Sequence, residues 1–96
     1  MRQKIQAVKI LDGAVATGAG SAHEVEGTRL GVYIQVATTA TVKIETSPDG
    51  ALWMDTSITA KTATAYFGLN ETHRFVRANV TAWTAGAVNV WVAQVV

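Results

Sequence analysis

The feature that most constrains this chain is a two-residue hydrophobic period, in which branched aliphatic side chains alternate with polar or small ones. The period recurs in four segments, through Leu30, Val32, Ile34 and Val36; Val42, Ile44 and Thr46; Val76, Ala78, Val80 and Ala82; and Val88, Val90 and Val92. Such alternation is typical of half-buried strands, and no window of useful length has a helical period. The sequence therefore predicts an all-β protein.

Turn signals separate these segments, and Ser47-Pro48-Asp49-Gly50 is the strongest of them. Proline presets φ for a turn, aspartate bonds to nearby backbone, and glycine accepts a positive φ. Further turns are predicted at 38–40, 70–72 and 84–86. We predict about eight strands, near residues 3–11, 21–26, 29–37, 40–47, 51–57, 62–69, 73–83 and 87–96. Short strands at this spacing indicate an antiparallel β-sandwich, either jelly-roll or Ig-like.

The length and composition predict one domain spanning residues 1–96. The chain is 49% hydrophobic and has no cysteine, so one core must form without disulfides. Residues 12–22 are small and glycine-rich, and we interpret them as a flexible connector. The connector leaves two possibilities for residues 1–11. This strand either closes the sandwich or reaches a neighbouring subunit as an exchanged arm.

The last predicted strand is apolar on both faces, which is unusual for a strand with a solvent-facing side. A bare edge of this kind promotes aggregation, so we expect the first strand, a loop or another subunit to cover it. Tyr33 also lies on the parity opposite its core neighbours, whereas we expect Trp53 in the core. The predicted protein interface comprises Ile5, Val8, Ile10, Tyr33, Trp91, Ala93 and Val95.

The charge pattern argues against nucleic-acid and membrane partners. The net charge is +1, only 16% of residues are charged, and the basic residues are scattered. Nucleic-acid binding usually requires clustered Lys and Arg. The N-terminus lacks the apolar run of a secretion signal. The last 19 residues carry no charge, but their period of two predicts two strands and a turn rather than a transmembrane helix.

Candidate catalytic and metal-binding residues are few and isolated. His23 and His73 lie fifty positions apart in the sequence, and no third metal ligand accompanies them. The serines are not part of a G-x-S-x-G motif, and no phosphate-binding loop occurs. Asp49 has a structural use in its turn. We therefore expect no catalytic residue, no metal, no cofactor and no enzymatic activity.

Two segments carry a resemblance to known families. The first runs from Thr41 to Trp53 and contains Ser-x-Asp-Gly-x-x-Trp, and the second runs from Arg74 to Thr81 and begins Arg-Phe-Val-Arg. Together with Gly18–Ala22 before a strand, they resemble small β-sandwich virion proteins of tailed bacteriophages, some of which are capsid decoration (cement) proteins. Discoidin-like carbohydrate-binding modules share the same two motifs, but their ligand loops have no counterpart here.

The bacteriophage resemblance implies a function. It implies a non-enzymatic virion protein, made in the host cytoplasm, that binds and stabilises the head shell as a decoration protein. The implied partner is the major capsid protein or another virion protein, and the implied form is a homo-oligomer, with a trimer favoured. A tail or baseplate component is one alternative. A discoidin-like carbohydrate-binding module is the other.

Overall fold

A computed structural model describes residues 5–25, 29–69 and 73–95, and antiparallel strands make up most of them. The strands are β1 (Ile5–Ala14), β2 (Gly18–Ala19), β3 (His23–Glu24), β4 (Leu30–Val36), β5 (Thr39–Ser47), β6 (Met54–Asp55), β7 (Ala65–Leu69), β8 (Phe75–Ala85) and β9 (Val88–Val95). No helix in these ranges has the length and apolarity needed to cross a membrane.

The strands form two sheets. In the first sheet the order is β1-β9-β4-β7. In the second sheet the order is β2-β8-β5-β6, and β3 also pairs with β8. Every pairing between these strands is antiparallel. The predicted antiparallel β-sandwich is thus confirmed.

The core lies between the sheets and is built from the residues of the two-residue period. Val32, Ile34, Val90 and Val92 enter it from the first sheet, and Val42, Ile44, Val76, Ala78 and Val80 enter it from the second; each is at most 1% exposed. Complete burial of one such valine or isoleucine side chain contributes about 1.5–3 kcal/mol. This apolar contact holds the sheets together and leaves each sheet one outer face.

The stretch predicted as a connector contains hydrogen-bonded structure. Residues Asp12–Ala14 form the end of β1. Gly18–Ala19 forms β2, a strand additional to the eight predicted, opposite Asn79 and Val80 of β8. The backbone N–H of Gly20 donates to the carbonyl of Ala78 at 2.7 Å. Two further predicted strands are shorter than expected, at His23–Glu24 and Met54–Asp55. The predicted turn at 70–72 lies outside the described residues.

The first strand covers the doubly apolar last strand within this chain. β1 pairs with β9 from Ile5 opposite Val95 to Ala14 opposite Val88. The register shifts twice, between Lys9 and Leu11 and between Leu11 and Ala14. The pairing is the closed arrangement, and exchange of β1 with a neighbouring subunit stays a prediction.

The Ser47–Gly50 turn is held by its own side chains. The Ser47 hydroxyl accepts from the backbone N–H of Gly50 at 2.8 Å and donates to Asp49 Oδ1 at 3.1 Å. Asp49 Oδ1 also accepts from the N–H groups of Ala51 and Leu52, at 2.8 and 3.0 Å. Gly50 has a φ of 82°. The motif shared with phage proteins and discoidin-like modules is therefore a structural turn in this chain.

Candidate binding face

An in-register row of four large side chains crosses the outer face of the first sheet. Lys9 of β1 opposes Trp91 of β9, Trp91 opposes Tyr33 of β4, and Tyr33 opposes Tyr66 of β7. Their neighbours along each strand point into the core, because successive side chains of a strand alternate between faces. The row therefore spans the full width of the sheet.

We call Trp91, Tyr33 and Tyr66 the aromatic strip. Tyr33 is 46% exposed and Tyr66 is 58% exposed, and their ring centroids lie 4.6 Å apart with a 46° tilt. Trp91 is half-buried, and the Lys9 ammonium lies 5.0 Å from the centroid of its ring. The Lys9 ammonium also pairs with Asp12 at 2.8 Å. In the aromatic strip, Trp91 is thus packed beside Lys9, and Tyr33 and Tyr66 expose their rings.

A row of small residues lies beside the aromatic strip. Ala7 opposes Ala93, Ala93 opposes Gly31, and Gly31 opposes Gly68. This row helps line a depression of about 260 Å³. The Tyr66 ring leans over Gly31, where an added Cβ would lie only 2.7 Å from the tyrosine hydroxyl. The glycine therefore lets the Tyr66 ring lie against the sheet.

A second depression, of about 600 Å³, lies beside the strip and includes Gln35 and Thr64 in its lining. The amide of Asn89 donates to Gln35 Oε1 at 3.1 Å and accepts from the backbone N–H of Gly13 at 2.7 Å. Thr64 Oγ1 accepts from the backbone N–H of Val36 at 3.0 Å. On the side of this second depression, the aromatic strip is thus flanked by neutral polar groups.

The outer face of the second sheet has the opposite character. We call Lys43, Glu45, Asp55, Arg77 and Asn79 the charged face. Glu45 accepts from Arg77 Nε at 2.7 Å and from Asn79 Nδ2 at 3.4 Å, and Lys43 pairs with Asp55 at 2.7 Å. The hydrogen bond that Lys43 donates to Asp55 raises the pKa of Lys43. These charges are therefore largely paired with one another.

Trp53 belongs to the charged side, and its predicted place in the core is wrong. Its ring is half-buried, and the Arg77 guanidinium lies 4.3 Å from its centroid. Arg77 faces outward, between the buried Val76 and Ala78. Trp53 therefore covers a cation on the outer face instead of filling the core.

The predicted interface residues divide between the two faces of the first sheet. Ile5 is 73% exposed, and Tyr33, Trp91 and Ala93 share its outer face. Val8 and Ile10 point the other way. Val8 opposes the buried Val92 and packs against the core, and Ile10 is a core residue at 6% exposure. They would be interface residues only if β1 were exchanged. The side chain of Val95 lies outside what the structure describes.

Tyr66 and Lys9 complete the row, and the sequence-based set omits both. The parity of β7 is the signal that identifies Tyr66, because Ala65, Phe67 and Leu69 occupy the inner positions. Lys9 has no comparable signal. Its place beside Trp91 depends on the register of β1 against β9, which includes two shifts.

The two histidines lie apart from each other, and each contacts a neutral polar side chain. His73 Nδ1 is 2.7 Å from Thr46 Oγ1, and His23 Nε2 is 3.4 Å from the Gln94 side-chain nitrogen. Within residues 5–25, 29–69 and 73–95, no group of three or more His, Cys, Asp or Glu side chains could hold a metal ion.

Comparison with solved structures finds a likeness over the whole chain. The fold is similar to that in the crystal structure of the SPBc2 prophage-derived protein YomS, with a TM-score of 0.81. The match covers 100% of this chain and 96% of that chain, at 16% sequence identity. At this identity the likeness establishes a shared fold. No family model matches the sequence, and a search of curated proteins gives no match.

Proposed function

We propose that this chain is a non-enzymatic bacteriophage virion protein, and specifically a decoration protein that binds and stabilises the head shell as an oligomer. Its partner is the major capsid protein or another protein of the virion. The single observation that carries the proposal is the uncharged aromatic strip on the outer face of the first sheet.

The strip has the composition of a protein-binding surface. Tyrosine and tryptophan are enriched at the energetic centres of interfaces, and charged residues are depleted there. Tyr33 and Tyr66 present their rings without a charged neighbour on β4 or β7. Lys9 is the one charge in the row, and it is engaged by Trp91 and Asp12. A partner can therefore cover Tyr33 and Tyr66 without burying Lys9 unpaired. Arg29 lines the depression beside both rings and is the charge that such a partner would meet.

The overall architecture supports a phage origin. The match to a prophage-derived protein extends over nearly the whole of both chains, and it agrees with the resemblance carried by Thr41–Trp53 and Arg74–Thr81. An oligomer that contacts several equivalent sites of a symmetric shell gains strength through multivalency, so each copy needs only a small contact face.

The test is co-sedimentation with purified head shells from the phage that carries the gene, prepared from a deletion strain. We expect the protein to sediment with the shells and to saturate at a fixed ratio to the major capsid protein. Immunogold labelling of complete virions gives the location. Label on the head supports decoration, label on the tail or baseplate assigns the chain there, and its absence from virions contradicts the proposal.

Carbohydrate binding is a second candidate, because exposed aromatic rings beside amides are a surface on which sugars can stack. Tyr33 and Tyr66 supply the rings, and Gln35 and Asn89 supply the amides. A glycan array discriminates between the candidates. A signal that disappears in Tyr33→Ala would favour a carbohydrate-binding module, and no signal would remove this candidate.

A further inference from the structure

The strands at the sheet edges are protected from pairing with other chains, with one exception. β1 is interrupted by two register shifts and carries Lys9 and Asp12. In the second sheet β2, β3 and β6 are two residues long. Short strands, bulges and charges are the usual means by which proteins prevent edge-to-edge association.

β7 has none of these features. Its sequence, AYFGL, contains no charge and no proline, and it pairs with β4 over five consecutive residues without a register shift. No strand among the described residues pairs with its other edge. Half of the backbone groups of such a strand point away from its single neighbour and are available to another chain. Lys61 lies near β7, but its ammonium is engaged by the Phe67 ring at 4.3 Å and by Thr59 Oγ1 at 3.1 Å.

We propose that the β7 edge binds the β7 edge of a second copy of this chain, in an antiparallel pair with Phe67 on the two-fold axis. The pair joins two first sheets into one eight-stranded sheet. This inference rests on the oligomeric form of the proposed function and assigns the contact that makes the oligomer.

A second copy fits this edge because β7 is complementary to itself in that register. In an antiparallel pair centred on Phe67, Tyr66 opposes Gly68 of the other copy, and Ala65 opposes Leu69. An added Cβ at Gly68 would meet nothing within 4 Å, so the outer face is open at this position. Gly68 therefore leaves room opposite Tyr66 of the second copy, whose ring leans over its own Gly31.

The pairing also has a consequence for the aromatic strip. Tyr66 is the strip residue at the β7 edge, so a two-fold pair brings two strips side by side on one continuous face. The contact is small, and small interfaces give weak, transient complexes. We therefore expect a dimer that forms at high concentration in solution, instead of the trimer that the phage resemblance favours.

Cysteine cross-linking tests the register directly, because the chain contains no cysteine. Tyr66→Cys and Gly68→Cys are prepared separately and mixed under mild oxidation. Opposed residues of an antiparallel pair lie within disulfide distance. We expect a covalent heterodimer from this mixture, and none when Tyr66→Cys is mixed with Ala7→Cys, which lies on the same face but on β1.

A charge placed on the edge provides the second test. Gly68 does not have a positive φ, and the space beyond it is open, so Gly68→Glu should fold as a monomer. Ala7→Glu is the matched control, because it adds the same charge to the same face at the other edge. In sedimentation equilibrium up to about 1 mM, we expect Gly68→Glu to weaken self-association by about tenfold or more and Ala7→Glu to leave it unchanged.

The possible outcomes separate this inference from the proposed function. Cross-linking at 66/68 together with loss of association in Gly68→Glu supports the edge contact, whether or not head shells are bound. A wild-type protein that stays monomeric up to about 1 mM, together with Tyr66→Cys and Gly68→Cys variants that form no cross-link, overturns it, as does an oligomer insensitive to Gly68→Glu. Shell binding by such a protein would leave the proposed function standing without the β7 contact.

Discussion

The two outer faces of the sandwich differ in the contacts that their large side chains make within the chain. On the second sheet, Glu45 is held by Arg77 and Asn79, and Arg77 is covered by Trp53. On the first sheet, Tyr33 and Tyr66 contact each other and keep about half of their surface exposed. The side chains of the charged face are paired within the chain, whereas the aromatic strip retains exposed apolar surface.

The difference shows that an aromatic residue on an outer face is not by itself a binding residue. Trp53 and Trp91 are both half-buried, and each has a cation near its ring. Both cations are paired with a carboxylate, but Trp91 also lies beside the exposed Tyr33. We therefore expect substitutions on the charged face to lower stability and substitutions in the strip to lower binding.

The largest expected effect is on shell binding, in Trp91→Ala. Truncation of an aromatic residue at the centre of an interface commonly costs about 3 kcal/mol, which corresponds to roughly 100-fold in affinity. Co-sedimentation with head shells measures it. Trp53→Ala is the matched control on the charged face and should bind as the wild type does. Equal losses of shell affinity in both variants would show that the two outer faces do not differ in binding.

The next largest effect is on stability, in Glu45→Ala. The side chains of Glu45 and Arg77 are 13% and 24% exposed, so the substitution leaves a largely buried guanidinium without its carboxylate. We expect the free energy of unfolding in urea to fall by about 2 kcal/mol, with shell binding retained. Glu45→Gln keeps an acceptor and should lose less. A neutral result in Glu45→Ala would show that this face is not held by its ion pair.

Tyr33→Ala, in the aromatic strip, removes a larger side chain than Glu45→Ala does, but it should lower the free energy of unfolding by less. Its ring is 46% exposed and loses mainly the contact with Tyr66, which contributes about 1 kcal/mol. Urea unfolding measures the loss, and Tyr33→Phe, which keeps the ring, should be close to the wild type. A loss greater than that of Glu45→Ala would mean that the strip is mainly structural.

The smallest effect concerns Asp49, whose turn ends β5 of the second sheet. The backbone N–H groups of Leu52 and Ala51 lower the pKa of Asp49 below its ordinary value of 3.8. The stabilisation is therefore complete above that value and is lost as the pH falls through the lower, folded pKa. The urea midpoints of the wild type and Asp49→Asn should converge as the pH falls below 3.8. A constant difference would exclude the carboxylate as the cause.

The fold could be predicted from the sequence because its strands have one inner and one outer face. The alternation through Val32, Ile34, Val90 and Val92 fixes which residues are buried. The same parity places Tyr33 and Trp91 outside. Gly18–Ala19 was not predictable as a strand, because its side chains carry no hydrophobic period and its pairing depends on backbone contacts to β8.

The candidate binding face was only partly predictable, because it depends on register. The set Ile5, Val8 and Ile10 mixes the two faces of β1, since residues of odd and even number point in opposite directions until the register shifts after Lys9. Sequence also cannot show which strands are neighbours. The row from Lys9 to Tyr66 joins four strands that are far apart in the chain, and only the strand order β1-β9-β4-β7 brings them together.

Hydroxyl-radical footprinting of the free and the shell-bound protein tests the central claim most directly, because both faces carry aromatic reporters. We predict that Tyr33, Tyr66 and Trp91 become protected on shells while Trp53 is modified equally in both states. Protection of Trp53 with unchanged modification of Tyr33 and Tyr66 would contradict the account and assign binding to the charged face.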